Sequence, residues 1–264
     1  LTADTKGSRS TAVGFAALYT QNFTSATDSF NTAVGEQAGL TLTTGVKNTL
    51  IGARSGDLLT DADFNTVVGM DALSTDTLGS RSTAIGVGAL NAQNFTSATN
   101  TYNVAVGMNA GNVVTTGVRN TMVGGLAGDT ITTSNDNTLI GYQAGGSSDD
   151  GANNVAVGSD ALAGGNFGNS NVALGKAALY SNTGTSNVAI GVDAGYYVTS
   201  GGANTFLGHA AGAEATNTIT GGDGIYIGAF SHATATDAAA PIVIGYNVAG
   251  AAGYTTLGNA GNDV

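Results

Sequence analysis

A glycine preceded by an aliphatic residue returns along the whole chain, most often at the interval that separates Gly35 from Gly52 and Gly52 from Gly69. It stands at Gly14, Gly35, Gly52, Gly69, Gly86, Gly107, Gly124, Gly141, Gly158, Gly175, Gly191, Gly208, Gly228, Gly245 and Gly258. The steps from Gly14 to Gly35, from Gly86 to Gly107 and from Gly208 to Gly228 are longer than the rest. Such self-similarity marks a chain built from one small unit stacked many times. Helices of ordinary length do not fit between the glycines. What fits is a short β-prone run closed by Gly, then x-x-Ala-Leu or x-x-Ala-Gly, then a turn such as Thr43-Thr44-Gly45. The expected fold is therefore all-β: a single repeat domain over 1–264, a parallel β-solenoid of about 15 coils, period 17, each coil carrying two short strands and two turns. At about 4.8 Å per parallel strand, fifteen coils make a rod of roughly 70 Å.

A second period lies over the first, because the block from Gly7 to Asp57 recurs, position for position, as Gly79 to Asp129. The copied block includes the identical segments Gln21–Thr27 and Gln93–Thr99, which lengthen the steps to Gly35 and Gly107. Within the four residues before each marker glycine, the last is Val, Ile or Leu in all fifteen units, and the one before it is apolar in all but the last, which has Thr256. Neighbouring strand residues face opposite ways, so both faces of the strand are apolar. One can fill the coil; the other needs a cover, and a homotrimer with cyclic symmetry supplies it economically. The first motif residue is Asn in ten units and Ser in two, which suits a tight corner or a stacked ladder of short polar side chains. The marker glycine reads as a corner with positive φ or close backbone approach.

Composition narrows the partners. With 7 Lys+Arg against 18 Asp+Glu the net charge is −11, which repels phosphate backbones and anionic headgroups, so neither nucleic acid nor membrane insertion is expected. The longest apolar stretches, such as Ala238 to Tyr246, are far shorter than the roughly 18 residues that span a bilayer. The absence of Cys excludes disulfides and thiolate metal sites. Glycine is abundant at 42 residues but lacks collagen's every-third spacing, and there is one Pro. Opening at Leu1 without a leader, the chain reads as processed or as part of a longer polypeptide.

The runs Asn31-Thr32-Ala33-Val34-Gly35 and Asn187-Val188-Ala189-Ile190-Gly191, each with Ala three residues after the glycine, resemble the head repeats of YadA-like trimeric adhesins, in the form found in phage tail fibre proteins. The resemblance extends over Ser10 to Gly261, and Tyr254–Gly261 looks like the exit from such a head. It implies left-handed parallel β-rolls with three chains side by side, and a role in attachment to a surface. The localisation it implies is extracellular, on a virion as a tail fibre or on a bacterial cell surface as an autotransporter adhesin head.

Enzymatic alternatives are weaker. Leu139–Ala144 fits a hexapeptide acyltransferase hexad, but only one hexad occurs per coil. His209 and His232 occur in single units and read as solvated rather than as general bases. A glycan hydrolase needs two facing carboxylates; the only Glu residues are Glu36 and Glu214, and the pairs Asp61/Asp63 and Asp149/Asp150 lie in turns. No cofactor is expected, a weakly held Ca²⁺ at those Asp pairs being the one candidate. An ice-binding solenoid is a third class, since Thr holds the second motif position in nine units; those Thr share a face with the invariant aliphatic, which is expected to lie inside. The remaining candidate contact is Phe23 with Phe95, aromatics in an otherwise polar inserted loop, expected to lock neighbouring protomers or to meet a receptor. The expected function is therefore non-enzymatic: a homotrimeric fibre segment that binds a host or surface receptor, glycan among the expected ligands.

Overall fold

The computed structural model describes residues 4–147, 151–213 and 219–259. It is a parallel β-solenoid of about 14 turns with a period of about 17 residues, all-β, with no helix among the described residues. The chain divides into two compact units, Leu1–Asn135 and Asp136–Val264. In the first, Thr11–Val13, Thr32–Val34, Thr49–Ile51, Thr66–Val68, Thr83–Ile85, Val104–Val106 and Thr121–Val123 pair in that order, all parallel. In the second, Thr138–Ile140 starts a sheet that continues through Val155–Val157, Val172–Leu174, Val188–Ile190, Thr205–Leu207, Ile225–Ile227 and Ile242–Tyr246 to Thr255–Asn259. Equivalent motif positions lie side by side throughout, as Ala33 on Leu50 and Gly245 on Gly258.

The second strand expected in every coil is absent from most of them. After the marker glycine the chain turns instead, through left-handed residues such as Gln37 (φ 58°) and Gly39 (φ 59°), and turns again at Lys47 (φ 59°) before the next motif. Coil-to-coil amide bonds continue through these turns, as from Leu18 N–H to Ala38 O (3.0 Å) and from Gly39 N–H to Ser55 O (3.0 Å). Extra two-residue strand pairs form in the first unit beside the enlarged coils, Gly7–Ser8 with Thr27–Asp28 and Gly79–Ser80 with Thr99–Asn100, and in the second unit between coils of no added length, His232–Ala233 with Ala249–Gly250.

The inward residue of each motif strand is the middle one. Ala33, Leu50, Val67, Ala84, Ala105 and Met122 are fully buried, and so is the Ala three residues past the glycine, as Ala38 and Ala72. The residues on either side, Thr32 and Val34 for example, point outward. This corrects the sequence expectation that Thr and the invariant aliphatic line the interior; the alternation of strand side chains is as expected, but its phase is opposite. A coil also has room for only one more large aliphatic. It stands four residues past the glycine, as Leu18, Leu73 and Leu90, or seven past it, as Leu42, Leu59 and Ile131, and where one position is large the other is Gly or polar. A Cβ on Gly39 would sit 2.7 Å from Leu50 Cδ1, so that alternation is steric.

Two features tie one coil to the next. The marker glycine approaches its successor so closely that a Cβ on Gly35, whose φ is +140°, would lie 2.4 Å from Gly52 O. Beside it the motif asparagines stack: Asn48 N–H donates to Asn31 Oδ1 (2.9 Å), Asn65 N–H to Asn48 Oδ1 (2.9 Å), and Asn48 Nδ2 donates across the coil to Ala62 O (2.7 Å). In the second unit Asn154, Asn171, Asn187 and Asn204 repeat the pattern up to Gly224 N–H. The ladder reading of these residues stands.

Asn48→Ala leaves the buried Asn65 N–H and Ala62 C=O unpaired, at about 1–3 kcal/mol for each group and so about 2–6 kcal/mol together; denaturant titration of the variant should show a loss of that size. Gly35→Ala meets backbone rather than a movable side chain and should lower the thermal midpoint further, the conformation alone costing about 1–3 kcal/mol.

Candidate functional site

Because the middle motif residue faces inward, the outward face of each unit's sheet carries two stripes, one of Thr or Val and one of Val, Ile or Leu. In the first unit the aliphatic stripe includes Val13, 57% exposed, with Ile51 and Ile85; in the second it includes Ile140, Ile190, Leu207, Ile244 and Leu257. The residue after the glycine widens it, as Phe15 at 75% exposure, Met70, Val87 and Met108, and in the second unit Tyr142, Val192 and Tyr246. Soluble monomers rarely leave contiguous apolar stripes of this length in water. The Thr stripe beside it runs through five successive strands: Thr11, Thr32, Thr49, Thr66 and Thr83.

Phe23 and Phe95 lie elsewhere. They are 4% and 7% exposed, so both rings fill the enlarged coils of their own chain and neither presents itself to a partner. The expectation of an exposed contact on this loop is corrected accordingly. A buried polar network accompanies each ring. Asp76 Oδ1 accepts the Gly79 and Phe95 amides (3.1 and 3.0 Å), Gln93 Nε2 donates to Asp76 Oδ2 (2.6 Å), and Asn103 Nδ2 donates to Gln93 Oε1 (2.8 Å). The first copy repeats it with Asp4, Gln21 and Asn31. Donors run one way through this chain of bonds, ending on an acceptor with no proton of its own.

Burial pushes the Asp76 carboxyl above its ordinary value of 3.8 despite those bonds. Burial does the same to Asp57 and Asp129, each of which keeps an unpaired Oδ1. For Asp4 burial acts in the same direction, but bonds from Gln21, Gly7 and Lys6 outweigh it and hold the group below 3.8. Tyr226, stacked on Phe206 at 5.0 Å with its hydroxyl unpaired, is pushed by burial to about 12.

His209 packs edge-on against Phe230 (4.9 Å), and His232 Nδ1 lies 3.0 Å from Phe230 O. Asp61 accepts from Thr44 Oγ1 (2.6 Å) and Asp63 from the Val46 amide (2.7 Å), both turn bonds. Glu36 is exposed; Glu214, Asp149 and Asp150 lie outside the described residues, as do Ala260 and Gly261. Among the described residues no group of three or more His, Asp or Glu is placed to hold a metal ion, and no helix is long and apolar enough to cross a membrane. In the second unit a shallow cleft of about 210 Å³ is lined by Asp193, Tyr196, Tyr197, Ala210 and Ala213. Tyr180 stacks on Tyr196 at 4.9 Å, and Tyr197 meets Tyr196 edge-on. The one signal for it in the sequence is the recurrence of Tyr180 and Tyr196 at the same place in successive coils. No protein-family model, curated protein or solved structure matches this chain.

A carboxyl raised by folding binds its proton more tightly in the native state, so its penalty is full above the folded value and disappears below about 3.8. Stability therefore falls as pH rises through the folded values of Asp57, Asp76 and Asp129. On their account the thermal midpoint should fall as pH rises from about 4 to about 7, and Asp76→Asn should flatten that slope while lowering the midpoint, because its amide would face the Gln93 amide donor-to-donor.

Proposed function

We propose that this chain is a non-enzymatic, self-associating segment of an extracellular attachment fibre, three copies packed side by side, of the phage tail fibre kind. The head of a bacterial trimeric adhesin is the alternative setting for the same arrangement. What supports the reading is the outward aliphatic stripe, present in both units and widened by Phe15, Met108 and Tyr142. Burying such side chains against a second copy is worth about 1.5–3 kcal/mol apiece, and parallel coils of one period present that stripe at matching intervals. The repeat motif that resembles adhesin heads supplies the comparison, and the receptor is a host or other cell surface.

The outward Thr stripe favours one further reading. Five hydroxyls repeating at strand spacing beside aliphatic side chains form a regular plane, and an ice-binding solenoid would use that same face.

Light scattering during gel filtration separates the two. A trimer, with Ile51→Lys/Ile85→Lys giving a folded monomer, is the expected result; a wild-type monomer overturns the fibre reading, and a monomer showing thermal hysteresis at micromolar concentration establishes the second.

A further inference from the structure

The residue before each motif Asn or Ser lies in a left-handed corner, and in the first unit these corners spell an alternation. They are Arg9, Phe30, Lys47, Phe64, Arg81, Tyr102 and Arg119, with φ between 50° and 66°. One backbone conformation points all seven the same way, and all seven are exposed. The register of the adjoining strands places them on successive rungs. Arg9 stands 5.3 Å from the centre of the Phe30 ring; Lys47 and Arg81 approach Phe64 at 4.8 Å each; Arg81 also lies 5.9 Å from Tyr102. Phe64 sits between two cations and replaces their mutual repulsion with attraction to its ring, while Phe30 meets Arg9 and Tyr102 meets Arg81.

Three observations separate this row from an ordinary solvated edge. It concentrates four of the chain's 7 basic residues in a molecule of net charge −11. Among the described residues no carboxylate lies within ion-pair distance of Lys47 or Arg81. Arg9 pairs with Asp28 (3.2 Å), whereas Arg81, its counterpart in the copied block, bonds only the neutral Asn100 (2.9 Å). Bulky residues are also costly in left-handed corners, where Gly, Asn or Asp fit better. The second unit fills the same corner with Asp136, Asn153, Ser170, Ser186, Ala203 and Asp223, so packing of the coil does not require large side chains there. Finally, the copies of the block differ freely on neighbouring exposed rows, Glu36 becoming Met108 and Arg54 becoming Leu126, yet in this row Phe30 becomes Tyr102 and Lys47 becomes Arg119, with chemical class retained.

We infer that this corner is a binding track for an extended anionic polysaccharide, one carrying a carboxylate or sulfate on every second sugar. Cations on alternate rungs lie about 10 Å apart at a strand spacing of about 4.8 Å, close to the length of a disaccharide. Between them the exposed parts of Phe30, Phe64 and Tyr102 offer apolar surface to sugar C–H faces, and the Tyr102 hydroxyl can bond a ring oxygen. The stacked rings pre-position the cations, so little side-chain freedom is lost on binding. Duplex DNA, with a phosphate about every 3.4 Å along each strand, is a poor match to charges so widely spaced. The inference rests on the attachment reading, and names its ligand class.

The protein is titrated with size-graded hyaluronan oligosaccharides, with one carboxylate per disaccharide, κ-carrageenan oligosaccharides, with one sulfate per disaccharide, neutral dextran and oligo-dT, its mass being monitored by light scattering. Binding to hyaluronan or κ-carrageenan, with none to neutral dextran, is expected, the two polyanions distinguishing carboxylate from sulfate. Affinity should rise with oligosaccharide length until the ligand spans Arg9 to Arg119, about 29 Å over six rungs, then level off. Lys47→Gln/Arg81→Gln should weaken binding at least tenfold and lower the slope of log K against log salt by about two, and Phe64→Leu should weaken it severalfold; Lys176→Gln, in the second unit, should change nothing. Equal binding of neutral dextran, equal affinity for oligo-dT, affinity indifferent to length, or unchanged binding by the double variant would each overturn the track. The length series needs no variant, so a misfolded mutant leaves the test intact. A trimer that ignores the polyanions sinks the track alone, and a monomer that binds them sinks the assembly alone.

Discussion

A coil this thin cannot shelter its own backbone, so polar groups inside it must find partners in the coils above and below. One asparagine in each of ten turns meets that demand. Its carbonyl takes the amide of the next asparagine and its own amide crosses to a carbonyl on the far wall, as Asn48 does with Asn65 and Ala62. Both functions need a short side chain with an acceptor and a donor on one carbon; Ser82, the substitute in one turn of the first unit, gives its backbone N–H to Asn65 Oδ1, while its hydroxyl bonds Thr101 Oγ1 and accepts from Gln93 Nε2. The ladder also holds register: a slip by one residue would bring Thr or Val on one side, or the corner residue on the other, to the asparagine position and leave a file of amides unpaired.

Around that ladder the apolar filling is minimal and shared. The middle strand residue, the Ala past the glycine and a single large aliphatic occupy most turns, and the fourth position is small where its neighbours are large, Gly39 giving way to Leu50 and Leu18. Where Leu takes the fourth position, the seventh is polar or, after Leu162, Gly165, and the enlarged coils place Gln21 and Gln93 there, in their directional networks with Asp4 and Asp76. The phenylalanines of the inserted loops close those coils from within. Insertion is thus tolerated because it brings its own core and its own hydrogen bonds.

Period, parallel pairing and the asparagine stack were legible in the sequence because each depends on one residue type at a fixed interval. Phase was not. Thr-Ala-Val and Thr-Leu-Ile are apolar enough on both faces that alternation alone leaves the inward side undecided, and only the size of the middle residue, often Ala, hints at a confined interior. The second strand of each coil was overestimated because Glu36-Gln37-Ala38-Gly39 has a spacing compatible with extended chain, while left-handed Gln37 and Gly39 fold it into a turn. Phe23 and Phe95 misled because an aromatic in a polar loop has two uses, and burial inside a widened coil leaves the same trace in sequence as exposure to a partner. The cation and aromatic row escaped notice since its members lie a whole coil apart along the chain and look unrelated until the marker glycines are aligned.

The left-handed corners carry a further implication. Arg, Phe, Lys, Tyr, Asp, Gln, Leu, Ala and Ser all occupy them, yet among the described residues not one is Val, Ile or Thr, although the strands are full of these. Branching at Cβ is absent from such a backbone, whereas unbranched side chains of every size are accepted at a cost. A lineage built this way can therefore rewrite its outer chemistry one turn at a time, by single replacements that leave the framework untouched, and duplication of a four-turn block hands down a finished pattern in one step.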